Sequence, residues 1–84
     1  MTEIDLNKIE VAKVVDARGT ACPGPLLEAK RGMTEVPITE VMEVLSSDAS
    51  TNKDLPLWAK KMGHEYLGTL EEPGHWRIFI RRAK

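Results

Sequence analysis

Two stretches of this 84-residue chain carry apolar residues on a single helical stripe, so each must find one apolar surface to cover. In the first, Leu26, Ala29, Met33 and Val36 recur at helical spacing, while Glu28, Arg31 and Glu35 fall on other faces. Pro37 stops it because the ring cannot continue the hydrogen-bond ladder, and Gly32 weakens it by about 1 kcal/mol relative to alanine. In the second, Leu55, Trp58, Ala59 and Met62 form the stripe. Gly63 stands where a helix ends with positive φ, and Pro56 is expected in or near the first turn. The segments between have the other period. Residues 11–17 are rich in β-branched side chains and alternate, which suits a strand; residues 39–46 are apolar on both sides, as in a central strand. Residues 65–70 and 75–82 flank the turn composition Glu71-Glu72-Pro73-Gly74 and read as a hairpin. In its second strand Trp76, Ile78 and Ile80 face a core, and Arg77, Phe79 and Arg81 face water. The expected fold is α/β (α+β), a two-layer sandwich in the order β-α-β-α-β-β, with a mixed four-stranded sheet and both helices on one face. Residues 1–10 are expected to form a loosely held tail and residues 11–84 the domain.

Composition narrows the function classes. A chain this short buries only about 60–65% of its unfolded surface, which leaves no room for a dinucleotide-binding unit plus a substrate domain. No apolar run approaches the roughly 20 residues of a membrane span, and MTEIDLNKIE lacks the basic start and apolar core of a signal peptide, so a cytoplasmic protein without membrane partners is expected. The net charge of −1 hides an asymmetry: residues 1–52 hold 5 basic and 9 acidic groups, residues 53–84 hold 7 and 4. The pairs Lys60-Lys61 and Arg81-Arg82 fall short of the dense basic stripe that phosphate neutralisation demands; they read as solvated faces, and direct nucleic-acid binding is not expected. The single cysteine, Cys22, excludes an intrachain disulfide and a CxxC pair, and with two histidines it argues against a structural zinc site. No metal is expected.

Cys22 stands in the most specific segment, Asp16-Ala17-Arg18-Gly19-Thr20-Ala21-Cys22-Pro23-Gly24-Pro25. Its expected position is the N-cap of the first helix, with Pro23 at the first helical position, where a missing N–H costs nothing. Pro25 has no amide hydrogen, which leaves the Gly24 and Leu26 N–H groups as donors to sulfur. A helix N-terminus stabilises an anion by about 0.3–1 kcal/mol when exposed and up to about 2 when partly buried. Such a field lowers a thiol from about 8.5 to about 7–8, enough to make it a useful nucleophile at neutral pH. Arg18 and Lys53 would add positive potential if the fold brings them close. The plain alternative is that Cys22 is a small buried hydrophobe, as most free cysteines are. The rigid Pro-x-Pro entry argues against it, because a helix start is a surface feature.

This constellation resembles the TusA/SirA-like family of small sulfur carriers. The likeness runs from Val11 to Arg82: Asp16 and Gly19 ending a strand; Cys22, Pro23 and Pro25 opening a helix; Asp48, Thr51, Asp54, Leu55 and Pro56 leading the second; then Gly63, His64 and Glu65 before a closing hairpin. The resemblance implies that Cys22 takes up sulfane sulfur as a persulfide and passes it on. The implied donor is a cysteine desulfurase or rhodanese-like protein, the acceptor another sulfurtransferase, and the setting either tRNA thiolation or dissimilatory sulfur oxidation. It implies a sulfurtransferase-type carrier rather than a stand-alone turnover enzyme, and no cofactor. Family members of the tRNA pathway often carry Arg before the cysteine and Glu inside the motif, where this chain has Ala21 and Gly24. Both differences remove charge beside the thiol and bear on partner choice. Asp48 is expected either to order the loop near the thiol or simply to cap a turn, and His64 is expected to be structural. Two other classes remain open at this point: a non-catalytic interaction module presenting Lys13, Arg77, Phe79 and Arg81 to a protein or RNA, and a thiol redox sensor.

Overall fold

The computed structural model describes residues 9–19 and 24–84. Its elements are β1 (Val11–Asp16), α1 (Gly24–Met33), β2 (Val41–Ser46), α2 (Thr51–Met62), β3 (Glu65–Glu72) and β4 (His75–Arg81). They form one mixed sheet in the order β1-β2-β4-β3. β1 pairs with β2 in parallel, so α1 makes the crossover between them, and the other two pairings are antiparallel. The apolar stripes of both helices meet the same side of the sheet. Ala29, Met33 and Val36 from the first stripe and Leu55 and Ala59 from the second share a cluster with Val15, Met42, Val44, Ile78 and Ile80; Leu26 and Trp58 pack against its edge. This is the expected two-layer sandwich. The tail expected over residues 1–10 lies mostly outside the described residues, as do Cys22 and Pro23.

Several local expectations change. α1 ends at Met33, and the chain turns through tighter bonds from the Thr34, Glu35 and Val36 amides to the carbonyls three residues earlier. Val36 still reaches the core, because one tight turn before Pro37 keeps it on the buried side. Pro56 lies in the second turn of α2, since the helix starts at Thr51, earlier than the apolar stripe indicates. The early start comes from polar bonds ahead of the stripe. The Thr51, Asn52 and Lys53 amides each donate to a carbonyl three residues back, and the Thr51 side chain is buried. Met62, placed on the stripe by spacing, is 50% exposed at the helix end. Gly63 follows with φ of 81°, as expected of a helix end.

Gly32 has a role that propensity does not capture. A Cβ there would stand 2.5 Å from Val15 Cγ2, so its missing side chain is what lets α1 lie directly on β1. The helix-free face of the sheet also differs from the expected wet surface. Phe79 is fully buried, in a cross-sheet row with Val14, Glu43 and Gly68. The Arg77 guanidinium lies 5.4 Å from its ring centroid, and Arg77 Nε donates to Glu43 Oε2 at 2.7 Å. A second, weaker bond runs to Glu72 at 3.4 Å. The alternation is correct, but a charged lattice roofs the aromatic ring.

Two measurements test this packing. Gly32→Ala should lower unfolding stability by about 1–3 kcal/mol, as overpacking does, whereas helix propensity alone would raise it by about 1 kcal/mol; urea denaturation separates the signs. Glu43→Gln should cost about 1–3 kcal/mol through loss of a charged acceptor in a largely buried pair, and the cost should shrink in an Arg77→Met background.

Candidate functional site

The parallel pairing of β1 and β2 brings both strands to a common C-terminal end, and both helices start there. Ala17 extends the ladder one step beyond β1 by donating its amide to the Leu45 carbonyl at 2.8 Å. Gly19 then turns the chain with φ of 84°, a conformation that favours glycine. The Gly19 amide donates to Ser47 Oγ at 2.9 Å, tying the exit of β1 to the exit of β2. The segment containing Cys22 joins Gly19 to Gly24, the first residue of α1.

Arg18 is held by its own neighbour. Its Nε and Nη2 atoms donate to the two Asp16 oxygens at 2.9 Å each, and its amide donates to Asp16 Oδ1 at 3.1 Å. The guanidinium bonds hold the Asp16 carboxyl at about 2, against an ordinary value of 3.8. Asp16 in turn raises Arg18. The two charges offset one another, so the pair is a closed clamp on the turn. The positive potential that the sequence assigns to Arg18 is largely neutralised.

The second loop is ordered by Ser46, Asp48 and Thr51. Ser46 Oγ donates to Thr51 Oγ1 at 3.0 Å in a buried bond, and it accepts the Asp48 amide at 3.1 Å. Asp48 Oδ1 accepts the Ser50 amide at 3.0 Å and the Ser50 hydroxyl at 2.9 Å. Asp48 therefore does the turn-ordering work that the sequence offers as one of its two readings, and this loop is bonded through Ser47 to the Gly19 turn. Lys53 is exposed in the first turn of α2, just after this loop. Gly24, Pro25 and Leu26 form the first turn of α1, and Leu26 packs on the core while the helix N-terminus stays at the sheet end. Ser46 and Ser47 are missed by sequence reading. The signal available was small: two consecutive hydroxyl residues, one ending the central strand and one just after it.

Residues outside this end have structural tasks. His64 Nδ1 accepts the Ala83 amide at 3.1 Å, and its ring lies 5.7 Å from Trp58. Burial first, then Arg82 and Lys84, lowers its pKa. Arg77 and Arg81, central to the interaction-module reading, are ion-paired on the sheet, Arg77 with Glu43 and Glu72 and Arg81 with Glu65. Among the described residues no group of His, Cys, Asp and Glu side chains is arranged to hold a metal ion. No described helix is long and apolar enough to cross a membrane.

Comparison with known proteins converges on one family. Residues 13–82 match the family model for sulfurtransferase TusA. A relative from Archaeoglobus fulgidus, named "Putative sulfur carrier protein", is 51% identical over 71 residues, which is 84% of this chain and 97% of the relative. Sulfur carrier protein TusA of Pseudomonas entomophila is 35% identical over 68 residues, covering 81% and 85% of the two chains. The crystal structure of a SirA-like protein from Desulfitobacterium hafniense superposes with a TM-score of 0.74 at 26% identity, over 86% of this chain and 99% of that one. By the extent of the matched region and by identity to its relatives, this chain belongs to the TusA sulfurtransferase family.

Proposed function

We propose that the protein carries sulfane sulfur on Cys22 as a persulfide and hands it to an acceptor protein. The observation that supports this reading most directly is that α1 begins at Gly24, two residues after Cys22, at the sheet end where both loops are tied together. The first-turn amides of a helix have no carbonyl acceptor one turn earlier, so the Gly24 and Leu26 N–H groups favour an anion near the start of α1. Cys22 thiolate attacks the outer sulfur of a donor persulfide; the new S–S bond forms as the donor S–S bond breaks, and the donor leaves as thiolate. An acceptor thiolate then repeats the step on Cys22 and regenerates its thiolate. No electrons are gained or lost overall. A cysteine desulfurase or a rhodanese-like protein fits as donor, a sulfurtransferase as acceptor, in the cytoplasm. With a single cysteine in the chain the persulfide cannot be expelled by an intrachain disulfide.

Supporting roles are proposed for its neighbours. The proline rings at 23 and 25 restrict the chain beside Cys22, Arg18 and Asp16 clamp the preceding turn, Asp48 orders its own loop, and Lys53 offers an exposed cation for docking.

Incubation with a cysteine desulfurase and cysteine, or with thiosulfate and a rhodanese, should add one reductant-labile sulfur atom by intact mass, and Cys22→Ala should add none. Peroxide-driven dimers in place of persulfide would favour the redox-sensor reading and defeat the carrier. The Asp16 carboxyl is depressed on folding, so its contribution to stability is complete above 3.8 and is lost as pH falls through about 2. A carbon-detected titration of Asp16 should show that midpoint, and Arg18→Ala should return it toward the ordinary value.

A further inference from the structure

The opposite end of the molecule holds a cleft of about 540 Å³ between the C-terminal ends of α1 and α2, within the size range of small-ligand sites. Met33 and Trp58 supply apolar wall, and Lys30, Lys61, Arg82 and Lys84 supply charge. No acidic residue lines it, and among the described residues Lys30, Lys61 and Lys84 have no carboxylate within ion-pair distance. Elsewhere on the described surface Lys13, Arg18, Arg31, Arg77 and Arg81 each have one, while Lys53 and Lys60 also have none; what sets the cleft apart is that its unpaired cations converge over apolar wall.

Helix ends account for part of this arrangement. Cations in the last turn favour the negative pole of a helix, which places Lys30 and Lys61. Arg82 goes further: its Nη1 donates to the Met33 and Val36 carbonyls at 3.2 and 2.8 Å, fixing the guanidinium at the end of α1. Lys84 is held through its backbone, where its carbonyl oxygen accepts from Arg82 Nε at 2.7 Å. Its side chain lies over Gly63, where an added Cβ would stand 2.8 Å from Lys84 Cε and 3.0 Å from Nζ. Glycine at the end of α2 thus leaves room for the side chain of Lys84, a residue that lines the cleft. Apolar walls beneath unpaired cations suit a molecule that is itself divided, an acidic group joined to a flat or aliphatic body. A simple inorganic anion would leave Trp58 and Met33 unused, and a purely apolar guest would leave the cations unpaired.

We infer that the cleft between the ends of α1 and α2 binds a small amphipathic organic anion, with Lys30, Lys61 and Lys84 around its carboxylate, sulfonate or phosphate and Trp58 against its apolar body. This inference is independent of the sulfur-carrier reading, and Cys22→Ala should leave the binding intact.

Anilinonaphthalene sulfonate is a suitable probe for the full-length native chain, with phenylnaphthylamine as its uncharged counterpart. One saturable site is expected, with energy transfer from tryptophan that falls in Trp58→Phe and persists in Trp76→Phe. The double variant Lys61→Glu/Lys84→Glu should weaken the sulfonate about tenfold or more, with unchanged circular dichroism and thermal midpoint, and should leave the neutral dye unaffected. Added salt should weaken the sulfonate as well. Absence of a saturable site, equal affinity for both dyes, or indifference to the double variant would each overturn the assignment. Binding of poly-glutamate without binding of the sulfonate dye would also overturn it, in favour of an acidic protein partner.

Discussion

The parallel pairing of β1 with β2 determines where everything else can be. Parallel neighbours cannot be joined by a tight turn, so the chain must cross back over the sheet, and α1 is that crossing. The connection from β2 then leads into α2 over the same face, and the two helices begin at one end of the sheet and finish at the other. One end therefore gathers two helix N-termini and the loops that precede them. The other gathers two C-termini, with Lys30, Arg31, Lys60 and Lys61 in the last turns. A polar molecule follows from topology alone: anion-favouring amides at one end, carbonyls compensated by cations at the other.

That topology requires close packing where the crossover helix meets β1. Gly32 permits the contact with Val15, while Ala29, Met33 and Val36 fill the space toward Met42 and Val44. The turn from Gly19 and the loop from Ser46 to Thr51 lie beyond the edge of this apolar layer, and they hold their shape by polar bonds: Gly19 to Ser47, Asp16 to Arg18, Ser46 to Thr51, Asp48 to Ser50. A short chain has little core to give to a site. Here the site end is set by a dense local network that uses small side chains and backbone amides, which occupies no interior volume.

How much of this could be read from sequence depended on the range of the interaction. The apolar stripes and the alternating strands are local patterns, and they yielded the element order, the two layers and the central position of β2. The Asp48–Pro56 motif marked the approach to α2 without fixing its first residue. Propensity misjudged Gly32, because its value for a helix says nothing of a Val15 methyl lying 2.5 Å from the absent Cβ. Alternation misjudged Phe79, because period two tells which face a ring takes and not whether a guanidinium from the same strand will cover it. The start of α2 was misplaced because Thr51 joins the core through a hydroxyl bond that an apolar count ignores. The cationic cleft was invisible for a plainer reason: its lysines and arginine come from three separated segments, and each looks like an ordinary solvated charge beside its own neighbours.

A carrier has requirements that differ from those of an enzyme, and the two ends of this molecule fit them differently. A group bound for transfer must be presented to two successive partners, so it belongs at an edge, on a loop that a partner can enclose, with little protein around it. The described flanks of the Cys22 segment, Gly19 and Gly24, lie at the sheet end, and Leu26 in the first turn of α1 packs against the edge of the core. The cleft at the other end differs in kind, with Met33 and Trp58 as apolar wall beside Lys30, Lys61, Arg82 and Lys84. α1 spans the two ends: its first turn lies at the candidate site, Lys30 and Met33 near its C-terminus line the cleft, and the close approach of Gly32 to Val15 sets that one helix against β1.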